Sequence, residues 1–327
     1  MNPKLTINIG KLRLKNPVMV ASGTFGYAEE FMNFINLREL GAIVTKTITL
    51  KPRKGNLPPR TCETPAGMLN SIGLENPGLE VFIKEKLPIL KKIGVPIIVS
   101  ISSEEDSREF VQLAKALGKI KEVAAIELNI SCPNIKSLQS TVHGQQKRNL
   151  SCGLSTIDHR LISQDPDVTY AVVSSVRSVT KKTLITKLSP NVTCISDIAL
   201  ACEKAGSDAL ALINTLYGMS IDVQTKRPKL SAGIGGLSGP AIRPIALKMV
   251  WETYKKVKIP IIGMGGIMDT QSALEFIIAG ASAISIGTAN FINPAASIEI
   301  INGIEKYLQK KKINSVKELI GTIECRI

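Results

Sequence analysis

The sequence predicts an α/β fold, a (β/α)8 TIM barrel with an N-terminal β-hairpin and long loops on the C-terminal face. Eight short apolar segments recur along the chain, and helical patterns fill most of the intervals between them. Each segment is almost continuously apolar, which is typical of strands in a parallel sheet that is buried on both faces. A doubly wound sheet is the alternative, but it seldom contains eight regular units. We expect a single domain over residues 1–327, because no linker divides the chain.

The predicted elements follow one another in a regular order. Strands are predicted at residues 17–23, 42–47, 95–102, 123–126, 184–189, 209–215, 260–266 and 283–288. Helices are predicted at 27–40, 104–118, 166–180, 195–205, 240–257 and 270–279, with a further helical region from residue 295. Residues 5–14 alternate around Gly10 and Lys11, which predicts a hairpin at the bottom of the barrel. Segments 51–76, 137–165 and 217–239 interrupt the pattern and are expected to form lids or walls of a site.

Composition argues against several classes of protein. Aromatic residues make up 4% of the chain, too few for the stacking platforms of single-stranded nucleic-acid binders. The net charge is +14, but its spread along the chain favours a solvated lysine-rich surface over a nucleic-acid or membrane patch. Six cysteines without a C-x-x-C pair indicate a reducing compartment. We find neither a signal peptide nor an apolar run that could cross a bilayer, so we expect a cytoplasmic protein.

Polar residues and glycines at the ends of the predicted strands indicate a functional site, because the C-terminal end of a (β/α)8 barrel carries the active site. They are Ser22, Lys46, Ser100, Asn129, Cys132, Lys187, Asn214, Thr215, Gly265, Gly266, Gly287 and Thr288. Lysines and amides that end apolar strands are costly to bury without partners. Each one alone could be structural, and a lone cysteine is usually a small buried hydrophobe. Gathered at one rim, they indicate a single ligand site.

Glycine-rich turns follow the seventh and eighth predicted strands, at residues 263–266 and 287–288. Barrels commonly bind phosphate at this position through backbone N–H groups, and glycine lets the backbone approach the ligand closely. The two turns therefore favour a ligand that carries a phosphate group.

Nine motifs in sequence order resemble the class 1 dihydroorotate dehydrogenases, and they look most like the class 1B catalytic subunit. They are ASG at 21–23, KT at 46–47, MLNSIGL at 68–74, NISCPN at 129–134, KLSPN at 187–191, INT at 213–215, GGLSGP at 235–240, GMGG at 263–266 and GTAN at 287–290. The resemblance runs from about residue 5 to the C-terminus. INTLYGM at 213–219 and the GGLSGP run favour class 1B over the fumarate-using class 1A.

This resemblance implies an oxidoreductase that acts on a CH–CH bond. The family is a flavoprotein barrel that binds FMN and oxidises (S)-dihydroorotate to orotate in de novo pyrimidine (UMP) biosynthesis. In class 1B a partner subunit carrying FAD and a 2Fe-2S cluster passes the electrons to NAD, in a heterotetramer of two plus two subunits. Neither nucleic acid nor a membrane is implied as a partner.

The resemblance also implies a role for each matching residue. Cys132 is the expected catalytic base, which takes the C5 proton while hydride leaves C6, and a thiol of pKa about 8.5 suits that task after a modest shift. The expected FMN contacts are Ser22, Lys46, Thr47, Asn129, Lys187, Ile213, Gly239, Gly265, Gly266, Gly287 and Thr288. The expected substrate contacts are Lys46, Asn70, Ser71, Ile72, Gly73, Leu74, Asn129, Asn214 and Thr215.

Two features depart from the family pattern. Ser100 stands where the family usually has an asparagine that contacts flavin, so its contact with FMN stays open. The segment 137–164 is an atypical long loop insertion in place of a short glycine-rich loop. A solvated insertion is the simplest interpretation, and a changed lid, altered substrate access or a new contact with the partner are the alternatives. A metal site at Cys152, His143 and His159 lacks a fourth ligand and close spacing, so no metal is expected.

Three functions stay open at this point. The first is the NAD-linked class 1B dihydroorotate dehydrogenase. The second is a fumarate-dependent class 1A-like enzyme or a related dihydropyrimidine dehydrogenase. The third is a flavin-binding protein that the insertion has disabled, although retention of every strand-end residue except Ser100 argues against it.

Overall fold

The computed structural model describes residues 3–103, 107–131 and 162–324. Its strands are β1 (Ile7–Ile9), β2 (Leu12–Leu14), β3 (Val18–Val20), β4 (Ala42–Val44), β5 (Thr61–Thr64), β6 (Gly67–Asn70), β7 (Ile97–Ile101), β8 (Val123–Asn129), β9 (Thr183–Lys187), β10 (Ala209–Leu212), β11 (Leu216–Gly218), β12 (Ile221–Asp222), β13 (Arg227–Pro228), β14 (Gly235–Ser238), β15 (Ile261–Gly263) and β16 (Ala283–Ile286). Its α-helices are α1 (Gly78–Val81), α2 (Leu87–Ile93), α3 (Arg108–Gly118), α4 (Pro166–Val179), α5 (Ile195–Lys204), α6 (Arg243–Tyr254), α7 (Thr270–Ala279), α8 (Ala289–Ile292) and α9 (Ala296–Lys311). Across these ranges, none of the helices is long and apolar enough to cross a membrane.

Eight parallel strands close into a barrel in the order β10-β15-β16-β3-β4-β7-β8-β9. The predicted (β/α)8 class is therefore confirmed. The strand pairs are parallel throughout, so all eight carboxyl ends meet at one rim. Apolar residues form the strands because one face of each strand lies against the helices and the other lies inside the barrel.

The inside of the barrel is packed with side chains that alternate between small and large. Register partners point to the same face, and the interior set is Met19, Ala42, Val44, Ile98, Ala125, Ile185, Ala209, Ala211, Ile262 and Ala283. All are buried, so the barrel is a core rather than a pore. Ser100, Glu127 and Ser285 share this face, which places polar groups directly below the C-terminal rim.

The hairpin β1–β2 lies at the opposite end of the barrel. Its turn residue Gly10 has φ +54°, and a Cβ there would lie 2.7 Å from the Cβ of Asp208, just before β10. Ile7, Ile9 and Leu14 are buried beneath the strands. The hairpin therefore covers the bottom of the barrel, as its pattern predicts, and leaves the C-terminal rim to the loops.

The predicted helices 166–180, 195–205 and 270–279 are confirmed as α4, α5 and α7. The prediction of a helix over 27–40 is wrong, because that segment contains two short 3-10 turns, Glu29–Phe31 and Leu37–Glu39. Ala28 is left-handed (φ 73°), and the ring of Phe31 stacks on Phe25 at 3.8 Å. A left-handed residue cannot continue a right-handed helix, so the chain turns to bury these rings instead.

A four-stranded antiparallel sheet in the order β11-β14-β6-β5 was not predicted from the sequence. It joins two of the long segments, since β6 pairs with β14 at Asn70 and Gly236. Both segments follow carboxyl ends of barrel strands. The sheet therefore stands over the C-terminal rim and forms a wall of the cavity there.

Candidate active site

A cavity of ≈ 1020 Å³ lies at the C-terminal rim of the barrel. Its floor comes from residues at the ends of the barrel strands, and its wall comes from the antiparallel sheet and the loop 71–74. Every predicted cofactor residue lines it: Ser22, Lys46, Thr47, Asn129, Lys187, Ile213, Gly239, Gly265, Gly266, Gly287 and Thr288. Every predicted substrate residue lines it as well, adding Asn70, Ser71, Ile72, Gly73, Leu74, Asn214 and Thr215. The structure thus brings these residues together, while their roles stay predictions.

A hydrogen-bond network crosses the floor of the cavity and links residues at the ends of six barrel strands. Asn214 Nδ2 donates to Asn129 Oδ1 at 3.3 Å, and Asn129 Nδ2 donates to Thr47 Oγ1 at 3.3 Å. Thr47 Oγ1 lies 3.5 Å from Ser22 Oγ, which accepts from Lys187 Nζ at 3.4 Å. The backbone carbonyl of Asn129 accepts from the hydroxyl of Ser102, which follows β7. These bonds hold the polar side chains in one arrangement without using all their donors and acceptors.

Positive charge dominates the cavity. Lys187 is 5% exposed at the end of β9, and Lys46 is half-buried after β4. Across the described ranges, neither lysine forms an ion pair and no carboxylate lines the cavity. Glu127 lies below the floor, 2% exposed, and its Oε1 has no hydrogen-bond partner among the described residues. Two lysines at one cavity, without an ion pair in the described part of the chain, favour an anionic ligand.

The loop 71–74 is held in place by hydrogen bonds that its backbone carbonyls accept from Asn56 and Asn76. The Asn56 N–H donates to the carbonyl of Ile72 at 3.0 Å, and its side chain donates to the carbonyl of Ser71 at 2.9 Å. Asn76, 5% exposed, closes the base of the loop by donating to Leu74 O at 2.7 Å and accepting from Gly78 N at 2.8 Å. The wall is therefore fixed before a ligand arrives, which reduces the entropy lost on binding.

Both glycine turns line the cavity. Along the described chain, the N–H groups of Gly265, Gly266, Gly287 and Thr288 donate no backbone hydrogen bond. Gly265 (φ +120°) and Gly266 (φ +76°) adopt conformations that favour glycine. A Cβ on Gly287 would meet only ordinary contacts, the nearest being Ala21 Cβ at 3.7 Å, so protein packing does not demand glycine there. The absence of a side chain at Gly287 instead leaves room in the cavity.

The helix after the first glycine turn is capped tightly. Asp269 accepts from the N–H of Ser272 at 2.8 Å, and Ser272 Oγ accepts from the N–H of Asp269 at 3.0 Å. This capping box lowers the pKa of Asp269, first through the backbone hydrogen bond from Ser272. The capping box fixes the point at which the turn that begins at Gly263 ends and α7 starts.

Some predicted residues have a different placement, and some site residues were not predicted. Cys132 and residues 137–161 of the insertion lie outside the described residues, and residues 162–164 form a 3-10 turn. Ser100 is fully buried and does not line the cavity; it lies 2.9 Å below Thr47 Oγ1. Asn191 lines the cavity and braces the chain after β10 by donating to Thr215 O at 3.1 Å. Its position at the end of the KLSPN motif was the available signal.

The fold and the cavity define a (β/α)8-barrel protein with a preformed, lysine-containing cavity at the C-terminal rim. The dihydroorotate dehydrogenase family model matches residues 4–308. The chain therefore belongs to the dihydroorotate dehydrogenase family, and the resemblance found in the sequence is confirmed.

Several relatives match over nearly their whole length. A protein of Trichlorobacter lovleyi is 49% identical over 324 residues, covering 99% of this chain and 100% of the relative. A protein of Pelobacter propionicus is 48% identical over 325 residues, with 99% and 100% coverage. A protein of Bacteroides thetaiotaomicron is 48% identical over 320 residues, with 98% and 99% coverage. Each of the three is named dihydroorotate dehydrogenase B (NAD(+)), catalytic subunit.

Proposed function

We propose that this chain is the FMN-dependent catalytic subunit of an NAD-linked dihydroorotate dehydrogenase, which oxidises (S)-dihydroorotate to orotate in pyrimidine biosynthesis. The observation that carries this proposal is one cavity that gathers Lys46 and Lys187, the amides of Asn129 and Asn214, and two glycine turns. The names of the relatives support the same activity. No described feature favours a second function.

The described residues fit FMN at the glycine turns and at the buried lysine. The free N–H groups at Gly265, Gly266, Gly287 and Thr288 suit a phosphate, and the space beside Gly287 admits a ligand close to the backbone. Lys187 is a buried cation without an anionic partner among the described residues, so it suits a ring system that gains negative charge. When bound, FMN supplies the hydride acceptor for the reaction.

The substrate is an anionic ring with alternating N–H and C=O groups. Asn129 and Asn214 each keep amide groups free for such an edge, because their mutual bond uses only one donor and one acceptor. Lys46 is a cation for the carboxylate of the substrate, and the fixed loop 71–74 lines the same cavity. These residues bind and orient the ring, which brings its reacting carbons into a defined geometry.

Cys132 is the proposed base, a role that rests on the family resemblance. It follows Ser131, which lines the cavity. The Cys132 thiolate takes the proton from C5 of dihydroorotate, and hydride leaves C6, so that the C5=C6 double bond of orotate forms. Two electrons leave the substrate with that hydride.

The electrons require an exit, and we propose a partner subunit that carries FAD and a 2Fe-2S cluster and delivers them to NAD. The phrase "catalytic subunit" in the names of the relatives supports a partner. We propose a cytoplasmic location, which the free thiols of Cys62, Cys194 and Cys202 support.

The test compares wild-type protein, Cys132→Ala and the exposed-cysteine control Cys194→Ala under anaerobic conditions. Wild type and the control should be yellow and lose their flavin colour on addition of dihydroorotate. Cys132→Ala should keep FMN but react at least about a hundredfold more slowly, since it lacks the base. Full-rate reduction of Cys132→Ala would remove Cys132 from the mechanism. Reoxidation by fumarate in place of NAD plus partner would contradict the class 1B assignment.

A further inference from the structure

In the hydrogen-bond network on the cavity floor, the described atoms determine which group donates and which accepts in each bond. The backbone N–H of Thr215 donates to Asn214 Oδ1 at 2.9 Å, and a backbone N–H can only donate. Asn214 Nδ2 is therefore the atom that faces Asn129 at 3.3 Å, so Asn129 presents its oxygen there. Asn129 Nδ2 must then face Thr47, whose Oγ1 accepts at 3.3 Å. The orientation of both amides thus follows from one backbone group.

The direction continues through the hydroxyl groups. Lys187 Nζ is only a donor, so Ser22 Oγ accepts from it. The proton of Thr47 can go to Ser100 at 2.9 Å or to Ser22 at 3.5 Å. If Thr47 donated to Ser100, the buried hydroxyl proton of Ser100 would be left without an acceptor, because among the described residues Thr47 is the hydrogen-bond partner of Ser100 Oγ.

One further buried acceptor lies nearby and does not change this result. Glu127 is the register partner of Ser100 on β8 and faces the same side of the sheet. Within the described part of the chain, its Oε1 has no hydrogen-bond partner, Ser100 included. Among the described residues, the hydroxyl protons of Ser100 and Thr47 both have an acceptor only when Ser100 donates to Thr47 and Thr47 donates to Ser22.

We propose that Ser100 is a positioning residue: by holding Thr47 Oγ1, it keeps the Asn129 amide and the Ser22 hydroxyl in the arrangement presented to the pyrimidine ring. The Ser100 hydroxyl donates to one lone pair of Thr47 Oγ1, and the other lone pair accepts from Asn129 Nδ2. Asn129 then offers the cavity one N–H and one oxygen lone pair, and Ser22 offers its hydroxyl proton. Such a pattern matches adjacent N–H and C=O groups of a dihydropyrimidine. This inference rests on the proposed function and extends it to a residue that does not itself line the cavity.

The experiment compares Ser100→Ala and Ser100→Thr with wild type and a matched control, Ser207→Ala. Ser207 also forms a buried hydroxyl–hydroxyl bond, 2.7 Å to Thr186, but it does not line or underlie the cavity. FMN content, thermal unfolding, orotate affinity from the flavin spectrum, and steady-state KM and kcat are measured for each.

Ser100→Ala should keep one FMN per chain, bind orotate about tenfold more weakly and raise KM about tenfold with little change in kcat. Ser100→Thr should restore binding because it restores the donor, and Ser207→Ala should bind orotate as wild type does. If Ser100→Ala does not fold, Ser100→Cys, a weaker donor of similar size, should show a smaller loss.

Unchanged orotate affinity in Ser100→Ala, or loss of its FMN, would overturn the inference. The wild-type sample separates this inference from the proposed function. Wild-type protein that dihydroorotate fails to reduce overturns the proposed function. If dihydroorotate reduces the wild-type protein and Ser100→Ala binds orotate with normal affinity, only the inference about Ser100 is overturned.

Discussion

Replacing Lys187 with methionine should lower the reduction potential of bound FMN. The side chain is 5% exposed, and among the described residues its one hydrogen-bond partner is Ser22 Oγ at 3.4 Å. Methionine keeps an unbranched chain but removes the charge. A flavin that gains negative charge on reduction loses a nearby cation in this variant, so the reduced form becomes less stable relative to the oxidised form.

The size of the effect follows from Coulomb's law. Unit charges about 4 Å apart interact by roughly 4 kcal/mol at an effective dielectric constant near 20. For a two-electron couple, about 1.4 kcal/mol corresponds to roughly 30 mV, which sets an upper limit near 90 mV. Because the oxidised ring also attracts the lysine through its polar atoms, we expect a fall of about 30–60 mV.

The assay is a redox titration of the bound flavin against a reference dye. Lys182→Met is the matched control, because Lys182 precedes the same strand and its Nζ donates to Ile120 O at 2.8 Å at the opposite end of the barrel. It lies five residues from Lys187, about 16 Å along the strand, where screening by salt is strong. The reduction potential of FMN bound to Lys182→Met should therefore equal that of wild type.

An unchanged potential in Lys187→Met with FMN still bound would refute the proposed role of this lysine. A second observable tests the underlying electrostatics without the flavin. Removing a buried charge that has no anionic partner among the residues the structure describes should leave the apoprotein as stable as wild type or more stable. A lower melting temperature for the variant apoprotein would show that Lys187 is structural instead.

Two further predictions concern the glycine turns. Gly287→Ala should weaken FMN binding about tenfold or more while the apoprotein keeps its melting temperature, because its Cβ meets only ordinary protein contacts but enters the cavity; normal FMN affinity in a flavin titration would contradict the proposed close approach. Asp269→Ala should lower the free energy of unfolding by about 1 kcal/mol near neutral pH through loss of the helix cap. Since the pKa of Asp269 is lowered in the folded state, its contribution is complete above the unfolded pKa of about 3.9 and is lost as the pH falls through the folded pKa. Urea titrations should therefore show the gap between wild type and Asp269→Ala shrinking below roughly pH 4, and a gap that is constant with pH would contradict this account.

The barrel could be predicted from sequence because its strands are apolar and locally recognisable, and because the order of strands follows the order of the chain. The wall of the cavity could not. Its sheet pairs Asn70 with Gly236, and no local pattern indicates a contact between residues so far apart. The stretch from Gly78 to Ile93 was likewise missed, since Pro77 and Pro88 weaken a helical pattern that α1 and α2 nevertheless form.

The site was predictable where a residue ends a barrel strand and unpredictable where geometry decides its role. Lys187 and Asn129 were found because charged or amide groups end apolar strands. Ser100 was placed correctly on its strand, but only the structure shows that it lies beneath Thr47 rather than in the cavity lining. Asn191 was missed as a site residue because its bracing bonds depend on the course of the chain after β10.

The most direct test of the central claim is an anaerobic titration of the purified protein with dihydroorotate, with orotate and flavin measured together. The account predicts that the yellow colour is lost and that one orotate is formed for each FMN reduced. A protein without FMN, or a flavin that dihydroorotate does not reduce, would contradict it.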